Sequence, residues 1–138
     1  MRTLSGMFAA AVGAVLLIGN APVQAQGLVR NAQTVALKSG ETQVLGELYW
    51  VQQCRSILKS KPEVEIIDGP PGLTAQVKEE MILPRAQNCP KKVSGGVVSL
   101  SVKDVDDAST SQVTLRITYR TKDGDRQRAW LLNVALLP

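Results

Sequence analysis

The stretch Val113-Thr114-Leu115-Arg116-Ile117-Thr118-Tyr119-Arg120-Thr121-Lys122-Asp123-Gly124-Asp125-Arg126-Gln127-Arg128-Ala129-Trp130-Leu131-Leu132-Asn133-Val134 alternates apolar and polar side chains around Asp123-Gly124. Alternation with a period of two buries one face of a strand and wets the other. Asp-Gly is favoured where both central residues of a two-residue hairpin loop need positive φ, the type I′ turn. With Asp123-Gly124 at the tip, Ile117 is expected opposite Trp130, Leu115 opposite Leu132 and Val113 opposite Val134. Arg116, Thr118 and Arg120 then fall on the other face, opposite Leu131, Ala129 and Gln127. Tyr119 falls opposite Arg128, within reach of a cation–π contact. The run from Trp130 to Leu137 is too apolar for a sheet edge, so both arms are expected to be central strands.

Working outward from this hairpin, shorter segments repeat the same period. Val35-Ala36-Leu37 precedes a turn at Lys38-Ser39-Gly40-Glu41, and Val64 and Ile66 alternate with Glu63 and Glu65. Asp68-Gly69-Pro70-Pro71-Gly72 breaks the chain, and Leu73, Ala75 and Val77 alternate after it. Met81-Ile82-Leu83 stops at Pro84, and Ser94-Gly95-Gly96 leads into Val98, Leu100 and Val102. Residues 47–60 carry two readings. The run Leu48-Tyr49-Trp50-Val51 favours a strand. Leu48, Val51, Cys54, Ile57 and Leu58 also align at helical spacing, and a helical turn fits between Arg55 and Lys61 before Pro62. Roughly six to eight short strands separated by hard turns predict an all-β fold, an antiparallel β-sandwich.

The N-terminal segment reads as an export signal. Met1-Arg2 is positive, Leu4 to Gly19 is free of charge, and Val23-Gln24-Ala25 sets small residues before a cut at Gln26. A signal peptide over residues 1–25 and a single domain over residues 26–138 are expected, in the periplasm or secreted. No later segment is long and apolar enough to span a bilayer as a helix. Of the 138 residues, 16 are basic and 12 acidic, and losing Arg2 lowers the net charge from +4 to +3.

Export gives the two cysteines a meaning. Cys54 and Cys89 are the only pair, and an oxidising compartment favours a disulfide between them. It would close a loop of about 36 residues, worth ~4 kcal/mol in the chain-entropy model. Their spacing is not CxxC, and no His exists to activate either thiol, so a structural role is expected.

Several pieces together resemble small secreted bacterial domains of the immunoglobulin-like or cadherin-like kind. They are Lys38-x-Gly40-Glu41, Tyr49-Trp50-Val51 before Cys54, Pro62-Glu63-Val64-Glu65-Ile66 and Pro71-Gly72 before a strand. Cys89, Gly95-Gly96 and the Asp123-Gly124 hairpin complete them. The resemblance implies an immunoglobulin-like β-sandwich that serves as a binding or structural module. Trp50 precedes Cys54, whereas in antibody-type domains the Trp follows the first Cys on a later strand.

The chemistry-bearing residues point away from catalysis. The chain has no His, which removes the commonest general base and zinc ligand, and no GxSxG elbow accompanies its serines. Asp104, Asp106 and Asp107 offer oxygen ligands, but Ser109 and Leu115 stand where an EF-hand loop needs Gly and Glu. A solvated loop with no metal or cofactor is expected there, with a cadherin-like calcium site on these carboxylates as the alternative. Residues 116–128 hold Arg116, Arg120, Lys122, Arg126 and Arg128 against Asp123 and Asp125, and elsewhere residues 26–138 balance ten basic against ten acidic residues. This hairpin is the candidate surface for a protein partner or an anionic envelope polymer. Nucleic acid is not expected in an exported chain with modest charge and few aromatics. The expected function is therefore a non-enzymatic module that binds a macromolecular partner or supports the cell envelope. A carboxylate-dependent hydrolase or lyase is the alternative, as is a secreted hydrolase inhibitor presenting Gly69-Pro70-Pro71-Gly72.

Overall fold

Both arms of the C-terminal hairpin carry the expected alternation into the core. A computed structural model describes residues 33–138; the expected signal peptide lies outside them. Strand β8 (Ser109–Thr121) buries Val113, Leu115, Ile117, Tyr119 and Thr121, and β9 (Gly124–Leu137) buries Leu132, Val134 and Leu136. The pairing differs from expectation by two residues. Val113 faces Leu132, Leu115 faces Trp130, Ile117 faces Arg128 and Tyr119 faces Arg126. Lys122 and Asp123 form the tip, and Gly124 pairs with Thr121 at φ +109°.

Thr121 accounts for the difference. Its Oγ1 accepts from the Asp123 N–H at 3.2 Å and donates to the Gly124 carbonyl at 2.6 Å. The turn closes around that hydroxyl, and Gly124 takes the positive φ after it, as in a bulged hairpin. A slip of two residues keeps every side chain on its own face, so the core-facing set is unchanged.

The other strands are β1 (Gln33–Lys38), β2 (Thr42–Leu48), β3 (Val51–Gln52), β4 (Arg55–Ser56), β5 (Glu63–Asp68), β6 (Leu73–Ile82) and β7 (Val93–Val102). One sheet runs β1-β9-β8-β5 and a second runs β2-β7-β6. Thus β8 and β9 are both interior, as their apolar content requires. Buried side chains of both sheets form one cluster, including Leu37, Leu45, Leu48, Val98, Leu100, Leu115, Ile117 and Val134. The pairs are antiparallel except β1 with β9, which is parallel. This departs from an all-antiparallel expectation. Val35 and Leu37 seat their apolar face on the cluster beside Val134 and Leu136 while the chain runs on into β2 across the Lys38–Glu41 turn.

Within residues 47–60 the strand reading holds at Val51–Gln52 and Arg55–Ser56, and no helix forms. After Leu48 the chain forms a small β3-β4 hairpin whose two central residues, Gln53 and Cys54, have φ +52° and +60°. Two positive φ values in a two-residue loop are the type I′ pattern, here without glycine. Leu58 then bridges Thr121, and Lys122 N–H donates to the Ile57 carbonyl, which docks this segment on the β8-β9 tip. No helical turn forms there, because the Ile57 N–H donates to the Trp50 carbonyl while the Ile57 carbonyl and the Lys59 N–H bond to Lys122 and Arg120 of the hairpin. Gly95 makes this path possible: a side chain there would run into the Leu48 carbonyl. The helical content of the described residues is one 3-10 turn at Arg85–Gln87.

Candidate functional site

The strand order places the loops at two ends, and the ends differ in charge. One end gathers 38–42, 68–72 and 103–108, where Gly40 N–H donates to the Val102 carbonyl and Ser39 Oγ accepts from the Val105 N–H. These loops carry Glu41, Asp68, Asp104, Asp106 and Asp107 against Lys38 and Lys103. The candidate inhibitor loop Gly69–Gly72 also lies there. Among the described residues, no three His, Cys, Asp or Glu side chains gather as a metal site.

The opposite end gathers the β3-β4 segment, the loop after β6 and the β8-β9 tip. Residues 49–62 contribute Arg55, Lys59 and Lys61, and residues 83–92 contribute Arg85, Lys91 and Lys92, with no acidic residue in either segment. Cys54 and Cys89 form the expected disulfide between these two segments, with Cα atoms 5.4 Å apart. Cys89 is buried, while Arg55, Lys91 and Lys92 around it are exposed. The disulfide therefore pins two cationic loops against each other. Acidic side chains closest along the chain, Glu47, Glu63, Glu79 and Glu80, sit on strands rather than in these loops.

The five basic residues expected to form one surface on the hairpin divide between its faces. Arg116 pairs with Glu65 directly across from it on β5. Arg120 donates Nε and Nη2 to Glu63 at 2.9 Å each and Nη1 to Asp125 at 2.6 Å. Those contacts hold the Glu63 carboxyl below its usual range, first through the hydrogen bond from Arg120, and raise the Arg120 pKa. Glu63 and Glu65 thus neutralise the outward face of β8. Arg126 and Arg128 alternate onto the opposite face of β9, and Lys122 stands at the tip. Arg128 lies over the Trp50 ring, 4.9 Å from its centre, and is paired with Ile117 rather than with Tyr119 as expected. Trp50 in turn meets Tyr119 at 5.0 Å between ring centres. The two-residue shift in pairing sets Arg126 opposite Tyr119, and Trp50, which precedes β3, offers Arg128 a ring face.

Three concavities meet at this end. A cleft of about 430 Å³ crosses the disulfide between Arg55 and Ser56 on one wall and Lys91 and Lys92 on the other. A second groove of about 620 Å³ shares Gln53, Arg55 and Ser56 and continues to Lys122. A pocket of about 270 Å³ is lined by Tyr49, Trp50, Val51, Gln87, Tyr119 and Arg128. Three ion pairs occur among the described residues, and their only basic members are Arg116 and Arg120. Arg55, Lys91, Lys92 and Lys122 are therefore in none of these ion pairs, and the acid nearest the groove is Asp123 at the hairpin tip, whose Oδ2 accepts from Gln52 Nε2 at 3.2 Å. The clustering of these cations was hidden in the sequence because the ten-to-ten balance outside the hairpin mixes residues from opposite ends of the fold. The acid-free runs 49–62 and 83–92, each holding one Cys, were the signal that could have found it. Comparison with known proteins finds no family model that matches this chain and no curated protein that matches it.

Proposed function

We propose that this chain is an exported, non-catalytic β-sandwich module of immunoglobulin-like type that binds an acidic macromolecular partner through its disulfide-bearing end. The observation that carries the reading is the pairing of two acid-free basic loops by Cys54–Cys89, with none of their cations in an ion pair among the described residues. Clustered like charge is unfavourable for the free domain, and an acidic partner relieves it. The strand order β1-β9-β8-β5 against β2-β7-β6, with β1 parallel to β9, supports the immunoglobulin-like assignment. The disulfide and the leader-like N-terminal sequence support export. The absence of His from the sequence supports a binding role over acid–base catalysis.

Affinity capture from envelope extract tests this reading. Wild-type protein is expected to recover partners that an Arg55→Ser, Lys91→Ser, Lys92→Ser variant does not. Equal recovery by both proteins overturns the assignment of the site.

A further inference from the structure

We infer that the cleft over the disulfide and the neighbouring aromatic pocket bind an acidic polysaccharide; this names the partner class for the site proposed above and rests on that reading. The charge is laid out as a track. Lys91 and Lys92 face Arg55 across the first cleft, and Arg55 is shared with the groove that ends at Lys122. A chain carrying regularly spaced oxyanions meets successive cations along such a track, and each contact is a charge-assisted hydrogen bond. A small anion would occupy only one of these positions.

The aromatic pocket specifies a sugar. After Phe8, the sequence holds four aromatic residues, and Tyr49, Trp50 and Tyr119 line this one pocket. Tyr49 and Trp50 are half-exposed. Aromatic faces are electron-rich and attract the polarised C–H groups of a pyranose ring; Arg128 and Tyr119 already contact Trp50 and Tyr119 is buried, so Tyr49 is the ring left to meet the sugar. Arg128, which is exposed, has its Cζ 4.9 Å from the centre of the Trp50 ring and lines this pocket. A guanidinium carries five N–H donors with which to meet a carboxylate or sulfate. Gln87 lines the same pocket and is exposed, a further donor and acceptor for hydroxyl groups.

A lipid surface fits the same charges poorly. Peripheral binding to anionic membranes adds apolar insertion to electrostatic attraction. The exposed large apolar residues among those described are Val44, Ile67, Met81 and Leu137. Of these only Met81 lies near the site, opposite Ser94 of the cleft, and one side chain offers little apolar surface to insert.

The test is affinity electrophoresis of the oxidised full chain through gels containing polygalacturonate, dextran sulfate or neutral dextran. Sedimentation with phosphatidylglycerol vesicles and gel shift with single-stranded DNA run beside it. Retardation by one or both acidic polymers, with none by neutral dextran, is expected, and the two acidic polymers distinguish carboxylate from sulfate as the recognised group. Lys91→Ser with Lys92→Ser should weaken that binding about tenfold, the loss of two charge-assisted contacts. Lys38→Ser with Lys103→Ser removes the same charge from the other end and should leave binding unchanged. Arg128→Ala should weaken it about fivefold, with thermal unfolding run on each variant to show that the fold persists. Equal weakening by the two lysine pairs overturns the proposal, as does tighter binding to vesicles or DNA than to any polysaccharide. If no polysaccharide binds while envelope capture still depends on Arg55, Lys91 and Lys92, the sugar assignment fails and the binding site stands.

Discussion

Arg120 grips Glu63 with two parallel hydrogen bonds, Nε to Oε2 and Nη2 to Oε1, each 2.9 Å long. The pair joins β8 to β5, the strand at the edge of the larger sheet. A fork-to-carboxylate contact fixes orientation as well as attraction. Both side chains are exposed, so the interaction is screened by salt.

The pH dependence of stability follows from the lowered Glu63 pKa. A carboxyl with a depressed folded pKa stabilises the fold above its unfolded value, and that contribution disappears as pH falls through the folded value. Glu63→Gln is therefore expected to be less stable than wild type at neutral pH, with the gap closing on the acid side of the ordinary glutamate range. Urea unfolding at a series of pH values measures the gap. A gap that is constant down to strong acid would refute the ion-pair account.

Removing the disulfide should be costly. Cys54 and Cys89 are separated by 35 positions, and the constraint on the unfolded chain is worth ~4 kcal/mol in the loop-entropy model. Cys54→Ala with Cys89→Ala is expected to lower the urea midpoint strongly. The same variant should lose its binding at the basic end, because the two loops are no longer held together.

Two glycine positions should respond differently for different reasons. Gly124 has φ +109° and open space around it, so Gly124→Ala meets only backbone strain, about 1 kcal/mol. Gly95 has no such φ, but a side chain would collide with the Leu48 carbonyl and crowd Ile82. Backbone cannot move aside cheaply, so Gly95→Ala should be the more destabilising of the two. Chemical denaturation of both variants decides the order.

Gln53 offers the reverse case. It is exposed and sits at φ +52° in the β3-β4 turn. A non-glycine residue there carries local strain of about 1 kcal/mol. Gln53→Gly should leave stability unchanged or raise it, within about 1 kcal/mol, where Gly124→Ala lowers it. A clear loss on Gln53→Gly would mean that the side chain supports the turn.

Leu115 is fully buried opposite Trp130 at the centre of the larger sheet. Leu115→Ala leaves a cavity between the two sheets and is expected to cost about 2–5 kcal/mol. Thr121→Val tests the hairpin tip in parallel. It removes the hydroxyl that contacts Asp123 N–H and the Gly124 carbonyl, at a cost of about 1 kcal/mol, and Thr121→Ser should restore most of it.

The β content, the two central strands and the disulfide were legible in the chain itself. Alternation at Val113, Leu115 and Ile117 and at Val98, Leu100 and Val102 needs no partner to be read, since side chains on a strand point to opposite faces by backbone geometry alone. The same alternation made the core-facing set of the hairpin independent of its register, so the set survived a shift of two residues. Two cysteines left one possible pairing.

What only the tertiary structure decided were the contacts that depend on who stands beside whom. The hairpin tip moved because the Thr121 hydroxyl closes the turn, a choice that the Asp123-Gly124 pattern does not contain. Residues 51–56 became a hairpin because Ile57 and Lys59, on either side of Leu58, found backbone partners at a tip more than sixty residues later. Above all, a sum of charges along the chain carries no positions in space. The crossing of strands sends two acid-free loops to the end that also holds the Asp123 tip and sends acidic loops to the other, while Glu63 and Glu65 on β5 neutralise Arg120 and Arg116. A chain that looked basic only in its last hairpin is, once folded, basic at the end where its disulfide lies.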